Sequence, residues 1–266
     1  MNEQKTRIIS VCTEKGGVGK TTISYNLGCA LGKAGYKVLM IDLDKQGNLS
    51  CSCGFLSEEK KRTISDIIYG AAAGFEPNYE EYVYTSGNNP NVYYIPSGHM
   101  LNSSNSVISS SDNCNYVIRD ILRSKFFEEG FDFIILDNKT DLDLLAQNSL
   151  NASDYVIIPI DAGIFSFDAI DNMLEKIKMI SSTTNKDIEI MGIIENKADT
   201  TSTCKEIDEA CKELYKDLVF KTRIPARPEQ INKTVKCSAG CVNIKHNTLA
   251  ECFENLAKEV LKRSGS

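Results

Sequence analysis

The sequence predicts an α/β fold, a mostly parallel, twisted sheet with helices on both faces. Three observations carry this expectation. Near-continuous Ile/Val/Leu runs recur along the chain, and strands of that composition are buried on both faces. Stretches with helical periodicity separate them, the alternation that builds parallel sheets. The first apolar run ends in a glycine-rich turn that opens directly into a helix pattern.

Arg7-Ile8-Ile9-Ser10-Val11-Cys12 reads as the first strand, and a helix follows from Thr21 to about Lys33, closed by Gly35. Tyr36 to Asp42 is the second strand, Phe131 to Asp137 the third, Asp154 to Ile160 the fourth and Ile188 to Glu195 the fifth. Leu218-Val219-Phe220 makes a short sixth, and Asn91 to Pro96 is a further candidate. Helical patterns lie near 114–127, 143–151, 166–181, 203–216 and 248–263. The Ser/Asn-rich stretch Asn102 to Asn113 is of low complexity and reads as a mobile surface loop. With no internal repeat and no Pro-rich linker, residues 1–266 read as a single domain.

The 266 residues are 42% hydrophobic, enough for a sizeable core. A formal net charge of −6 argues against wholesale wrapping of nucleic acid but leaves room for a local basic patch. Met1 to Arg7 is polar and carries no signal-peptide pattern, and no apolar run approaches the ~18 residues of a membrane span. The expectation is a soluble, cytoplasmic protein with no membrane partner. Ten cysteines then read as reduced thiols. The close pairs Cys51/Cys53 and Cys237/Cys241 lack the knuckle spacing or histidine partners of a zinc site, so a structural reading is preferred over a metal or cluster.

The chemistry centres on Lys15-Gly16-Gly17-Val18-Gly19-Lys20-Thr21-Thr22. Glycines let backbone N–H groups converge on phosphates, and the helix N-terminus adds its positive end. Lys20 would reach the β- and γ-phosphates, and the Thr21 hydroxyl would ligate Mg²⁺. The ordinary GxxxxGK[ST] pattern is not met, because Glu14 stands where the first glycine belongs and a lysine occupies the second loop position.

That box resembles the deviant Walker A motif of the ParA/MinD family of partitioning ATPases. Ile41-Asp42-Leu43-Asp44-Lys45-Gln46-Gly47-Asn48 is similar to the family's Asp-x-Asp-Pro-Gln-Gly-Asn segment. Phe131 to Asp137 resembles its Walker B strand, and Ala152 to Ile160 the segment that follows. Val219 to Thr222 with Ile224-Pro225, and Leu256 to Val260, resemble chromosomal and plasmid ParA members of the Soj type. The ordered match runs through nearly the whole chain as one P-loop domain.

The resemblance implies a Mg²⁺-dependent ATPase that forms an ATP-dependent homodimer, binds double-stranded DNA nonspecifically, and is stimulated by a ParB-like centromere-binding protein. Such a protein would associate with the nucleoid. Lys15 is then the signature lysine that crosses to the other subunit's phosphates, and Asp44 the residue that orients the attacking water. Asp42 and Asp137 would hold Mg²⁺ directly or through waters. Asn196 and the Ile224-Pro225-Ala226 backbone would border the adenine.

Two departures stand out. The family has x-Pro-Pro after the Walker B aspartate, in a segment that senses the γ-phosphate, where this chain has Asn138-Lys139-Thr140. Lys45 replaces a proline after Asp44. DNA binding would rest on the C-terminal third. Between Val219 and His246, Lys221, Arg223, Arg227, Lys233, Lys236 and Lys245 stand against Glu229 alone, so that stretch carries +5 and the rest of the chain −11. The last helix has a mixed polar side, unlike the basic membrane helix of MinD-type members. Three alternatives stay open: a weakly hydrolysing ATP-switch regulator, a MinD-like positioning protein, and an iron–sulfur reductase of the nitrogenase iron protein type.

Overall fold

The computed structural model describes residues 6–55, 62–161 and 166–265. Its strands are β1 (Arg7–Val11), β2 (Val38–Leu43), β3 (Tyr84–Thr85), β4 (Val92–Ile95), β5 (Phe133–Asn138), β6 (Tyr155–Ile160), β7 (Glu189–Ala198) and β8 (Ile224–Pro225). They make one sheet in the order β3-β4-β2-β5-β1-β6-β7-β8, parallel throughout except for β3 against β4. The helices are α1 (Lys20–Lys33), α2 (Asn48–Ser52), α3 (Ile64–Ala72), α4 (Ser104–Ser109), α5 (Val117–Leu122), α6 (Lys125–Gly130), α7 (Leu144–Ala152), α8 (Ser166–Thr183), α9 (Ser202–Tyr215), α10 (Pro228–Cys237) and α11 (Ala250–Arg263).

Alternate side chains of the central strands sort to opposite faces of the sheet. Ile9, Met40 and Ile135 pack with Leu27 and Leu31 of α1 and with Phe253 and Leu256 of α11. Ile8, Leu39 and Ile134 pack on the other side with Ile67 of α3, Ile121 of α5 and Leu145 of α7. A third cluster fastens Ile170 and Met173 of α8 to Val156 and Ile158 of β6. The predicted parallel sheet, covered on both faces, is the one observed.

Two local expectations need correction. Leu218 to Phe220 is not a strand: Val219 makes a single bridge to Ile193, and the edge strand lies further on at Ile224–Pro225. Arg263 explains the difference. Its guanidinium donates to the carbonyls of Met191 (2.6 Å), Leu218 (3.2 Å) and Val219 (2.9 Å), occupying acceptors on which a strand ladder would draw. The Ser/Asn-rich stretch is also not a plain loop. A 3₁₀ turn at His99–Ser103 leads into α4, which buries Ser104 and Ile108. Asn105 holds it to α7, donating to the Asp143 carboxylate and accepting from Leu145 N at 2.9 Å.

The last helix docks on the protein itself, burying Phe253, Leu256, Ala257 and Val260 against the face that α1 covers. Among the described residues no helix is long and apolar enough to cross a membrane. The polar residues 1–5 and the last residue of the Ser264-Gly265-Ser266 tail lie outside the described residues.

Candidate nucleotide-binding site

β1 delivers the chain into the glycine-rich turn at the middle of the sheet, where Gly17 and Gly19 take φ of +74° and +90°. L side chains avoid that conformation. At Gly19 the space is closed as well, since a Cβ would stand 2.1 Å from Asn196 Nδ2. The turn opens into α1, whose first turn holds no acidic residue and whose N-cap makes no side-chain hydrogen bond. Its leading N–H groups and positive dipole end are therefore left for an anionic ligand.

The two lysines of the loop sit in different surroundings. Lys20 Nζ donates to Thr13 O at 3.4 Å and to Thr140 Oγ at 3.2 Å. Burial lowers its pKa, and the charges of Asp137 and Asp44 oppose that shift. Lys15 Nζ instead reaches Asp161, which follows β6, at 2.6 Å. Three further contacts brace the loop. Asn196 Nδ2 donates to Val18 O at 2.7 Å, Lys197 donates to Gly17 O, and Lys176 of α8 pairs with Glu14. Glu14, the residue that breaks the ordinary motif, is thus an anchor point for α8.

Asp42 and Asp137 lie in register at the ends of β2 and β5, both essentially fully buried. Asp137 accepts from Thr21 Oγ1 at 2.7 Å and from Ser24 Oγ at 2.8 Å. Asp42 accepts from Ser50 N (2.8 Å), Ser50 Oγ (2.7 Å) and Asp44 N (3.1 Å). Burial pushes both carboxyls above the usual range, and the charge of Asp42 raises Asp137 further. Two buried acids on adjacent strands beside the Thr21 hydroxyl fit a hard divalent cation. Mg²⁺ takes oxygen donors and keeps several waters, so this small donor set suits it. Asp44, half-buried, borders a cavity of about 200 Å³ shared with Lys139, Thr140 and Asp141.

Asn196 and Pro225 come together because β7 pairs with β8, which sets Asn196 opposite Ile224 and Ala198 opposite Pro225. The tentative DNA-contacting set does not stay whole. Arg223 grips the buried Glu195 carboxylate through Nε (2.5 Å) and Nη2 (2.8 Å). Arg227, Lys233, Lys236 and Lys245 are exposed, and Lys233 and Lys236 share one face of α10. As for the cysteine pairs, Cys51 and Cys237 are exposed while Cys53 and Cys241 are buried, so each pair exposes one cysteine.

The model of an AAA domain family matches residues 6–190, which span the phosphate turn, both aspartates and β6. The chain is also 28% identical over 258 residues to the sporulation initiation inhibitor protein Soj of Bacillus subtilis, covering 96% of this chain and 98% of that one. It belongs to the ParA/MinD family of P-loop ATPases.

Solved structures agree on the fold. An ATP complex of a Cyanothece McdA variant superposes with a TM-score of 0.83 at 22% identity, covering 98% of this chain and 96% of that one. Cobyrinic acid a,c-diamide synthase from Mycobacterium smegmatis, with a bound ATP analog and magnesium, scores 0.81 at 22% identity over the same shares. These likenesses speak to the fold alone, since proteins of different function share it.

In this ParA/MinD member, several site residues escaped the sequence reading: Ser24, Ser50, Asp161 and Lys197. Ser24 had a local signal, lying three residues after Thr21 on the same face of α1. Thr140, named in the sequence as part of the segment that lacks the family's prolines, and Asp161 reach the loop across 120 and 146 residues, and no short-range pattern announces those contacts.

Proposed function

We propose that this ParA/MinD member binds ATP with Mg²⁺, dimerises on it, hydrolyses it slowly, and acts in partitioning a plasmid, mobile element or chromosome. One observation carries the reading: the two lysines of one phosphate loop serve two different places. Lys20 sits within the turn against Thr13 and Thr140, while Lys15 is engaged at Asp161. Once it leaves Asp161, Lys15 reaches a partner's phosphates while Lys20 stays with its own. Membership of the family, and the ATP and magnesium named for the structural relatives, support the nucleotide.

In this reading Gly16 to Thr22 and the α1 N-terminus cradle the phosphates, and Lys20 neutralises the β- and γ-oxygens. Thr21, Asp42 and Asp137 hold Mg²⁺, which when bound offsets phosphate charge. Asp44 orients the water, and Asn196 with Pro225 borders the adenine. Arg227, Lys233, Lys236 and Lys245 contact DNA phosphates without reading bases, as expected of a basic patch with no base-reading motif. A ParB-like protein supplies the stimulation that a slow switch requires. Asn138-Lys139-Thr140, which lacks the family's prolines, favours slow basal turnover.

Light scattering tests the core of this reading. A non-hydrolysable ATP analogue with Mg²⁺ should double the mass, and Lys15→Ala should abolish the doubling while retaining nucleotide. A monomer at saturating analogue would overturn the proposal.

A further inference from the structure

We propose that the Thr140 hydroxyl is a direct ligand of the terminal phosphate, a role for which nothing in the phosphate-loop motif provides. The inference deepens the ATP reading above and rests on it. Thr140 Oγ lies 3.2 Å from Lys20 Nζ, and the other acceptor of that ammonium, Thr13 O, lies at 3.4 Å. Bonds from an ammonium to a good anionic acceptor are about 2.7–2.9 Å. Lys20 is therefore loosely held by two neutral oxygens in a buried place, a state that a phosphate oxygen would improve.

A phosphate oxygen drawn to Lys20 Nζ arrives within reach of whatever already touches that nitrogen. An ammonium only donates, whereas a hydroxyl both accepts and donates. Thr140 can accept from Lys20 and donate its own O–H hydrogen bond to the same phosphoryl group, so that Lys20 and Thr140 bind it together. Proline, usual at this position in the family, has no side-chain donor.

The hydroxyl is also held in place. Lys139 pairs with Asp143, and Asp143 caps α7 by accepting from Ala146 N at 3.2 Å. Asn105 of α4 bonds both Asp143 and Leu145 N, so the 139–143 loop is tied at its far end to two helices. The hydrogen bonds and Lys139 lower the pKa of Asp143 against the opposing effect of burial, so the tie stays ionised at neutral pH. Thr140 belongs to this anchored loop and lines the cavity beside Asp44, the side on which the reading above places the attacking water.

The distinguishing quantity is the preference for triphosphate over diphosphate. Binding of AMPPNP–Mg²⁺ and of ADP–Mg²⁺ is measured by calorimetry on the full chain and on Thr140→Val and Thr140→Ser. A hydrogen bond to a charged group corresponds to roughly 10- to 100-fold in affinity. Thr140→Val should weaken AMPPNP by that factor and leave ADP unchanged, and Thr140→Ser should restore the difference. Equal loss for both nucleotides, or no loss for either, overturns the assignment. If valine packs badly by thermal melt, Thr140→Ala gives the same comparison. Failure of the wild-type chain to bind either nucleotide would overturn the ATP reading itself, and this inference with it.

Discussion

Lys15 Nζ lies 2.6 Å from the Asp161 carboxylate, so the first lysine of the phosphate loop is tied to the end of β6 within its own chain. A lysine that serves another subunit must first leave that partner. Both side chains are about a quarter exposed, and pairs of this kind contribute about 0–1 kcal/mol. Asp161→Asn should therefore tighten nucleotide-dependent dimerisation by up to roughly fivefold. Sedimentation at graded protein concentrations reads this directly, and weaker dimerisation would show that Asp161 assists the trans contact.

Asp44 is half-buried at the edge of a cavity, and its Oδ1 accepts from Gln46 N at 3.0 Å. Asp44→Ala should keep ATP affinity and lower turnover by roughly 10²-fold, as loss of a water-positioning carboxylate implies. Single-turnover hydrolysis at saturating ATP separates the two quantities. A wild-type rate would assign the water to another group.

Much of the fold was readable because its strands are buried on both faces. β1, β2, β5 and β6 each hold a run rich in Ile, Val, Leu and Phe, and that composition marks them. The phosphate turn was readable because glycine is the residue that tolerates φ near +90°. α3 was missed although Thr63 and Asp66 form a capping box at its start. α4 was missed because Ser and Asn score as loop residues, while Asn105 is used there as a tertiary clamp. Asp161, and the contact of Thr140 with Lys20, were missed for a different reason. Their meaning comes from residues more than a hundred positions away, and parallel topology creates that neighbourhood only after folding.

Arg223 is a structural residue by its contacts. Its partner Glu195 is buried, and Cys204 Sγ donates to the same carboxylate at 3.1 Å. Arg223→Ala leaves that charge without its cation, which should cost roughly 3–5 kcal/mol. For a chain of this size the melting temperature falls by on the order of 10 °C. Glu195→Gln added to Arg223→Ala should recover part of the loss, and a melt unchanged in Arg223→Ala would refute the pairing.

The exposed bases define a cleaner test of DNA binding. Arg227→Glu, Lys233→Glu and Lys236→Glu together should abolish retardation of arbitrary duplex DNA by the ATP-bound protein, with the fold and nucleotide affinity intact. In the wild type the affinity should fall steeply between about 50 and 200 mM salt, as counterion release requires. Absence of retardation at the lower salt would turn attention to the regulator and positioning alternatives.

The order of strands has a consequence for biosynthesis. Among the described residues β1 pairs with β5 and β6 alone, so the strand that carries the phosphate turn has no neighbour there until residue 133 has been made. At about 5–20 residues per second, that wait is on the order of 10 s after β1 is translated. During it an apolar strand and the helix that follows must be kept from other chains. A nascent polypeptide stopped short of β5 holds the complete motif in its sequence and lacks the sheet that would give it a shape.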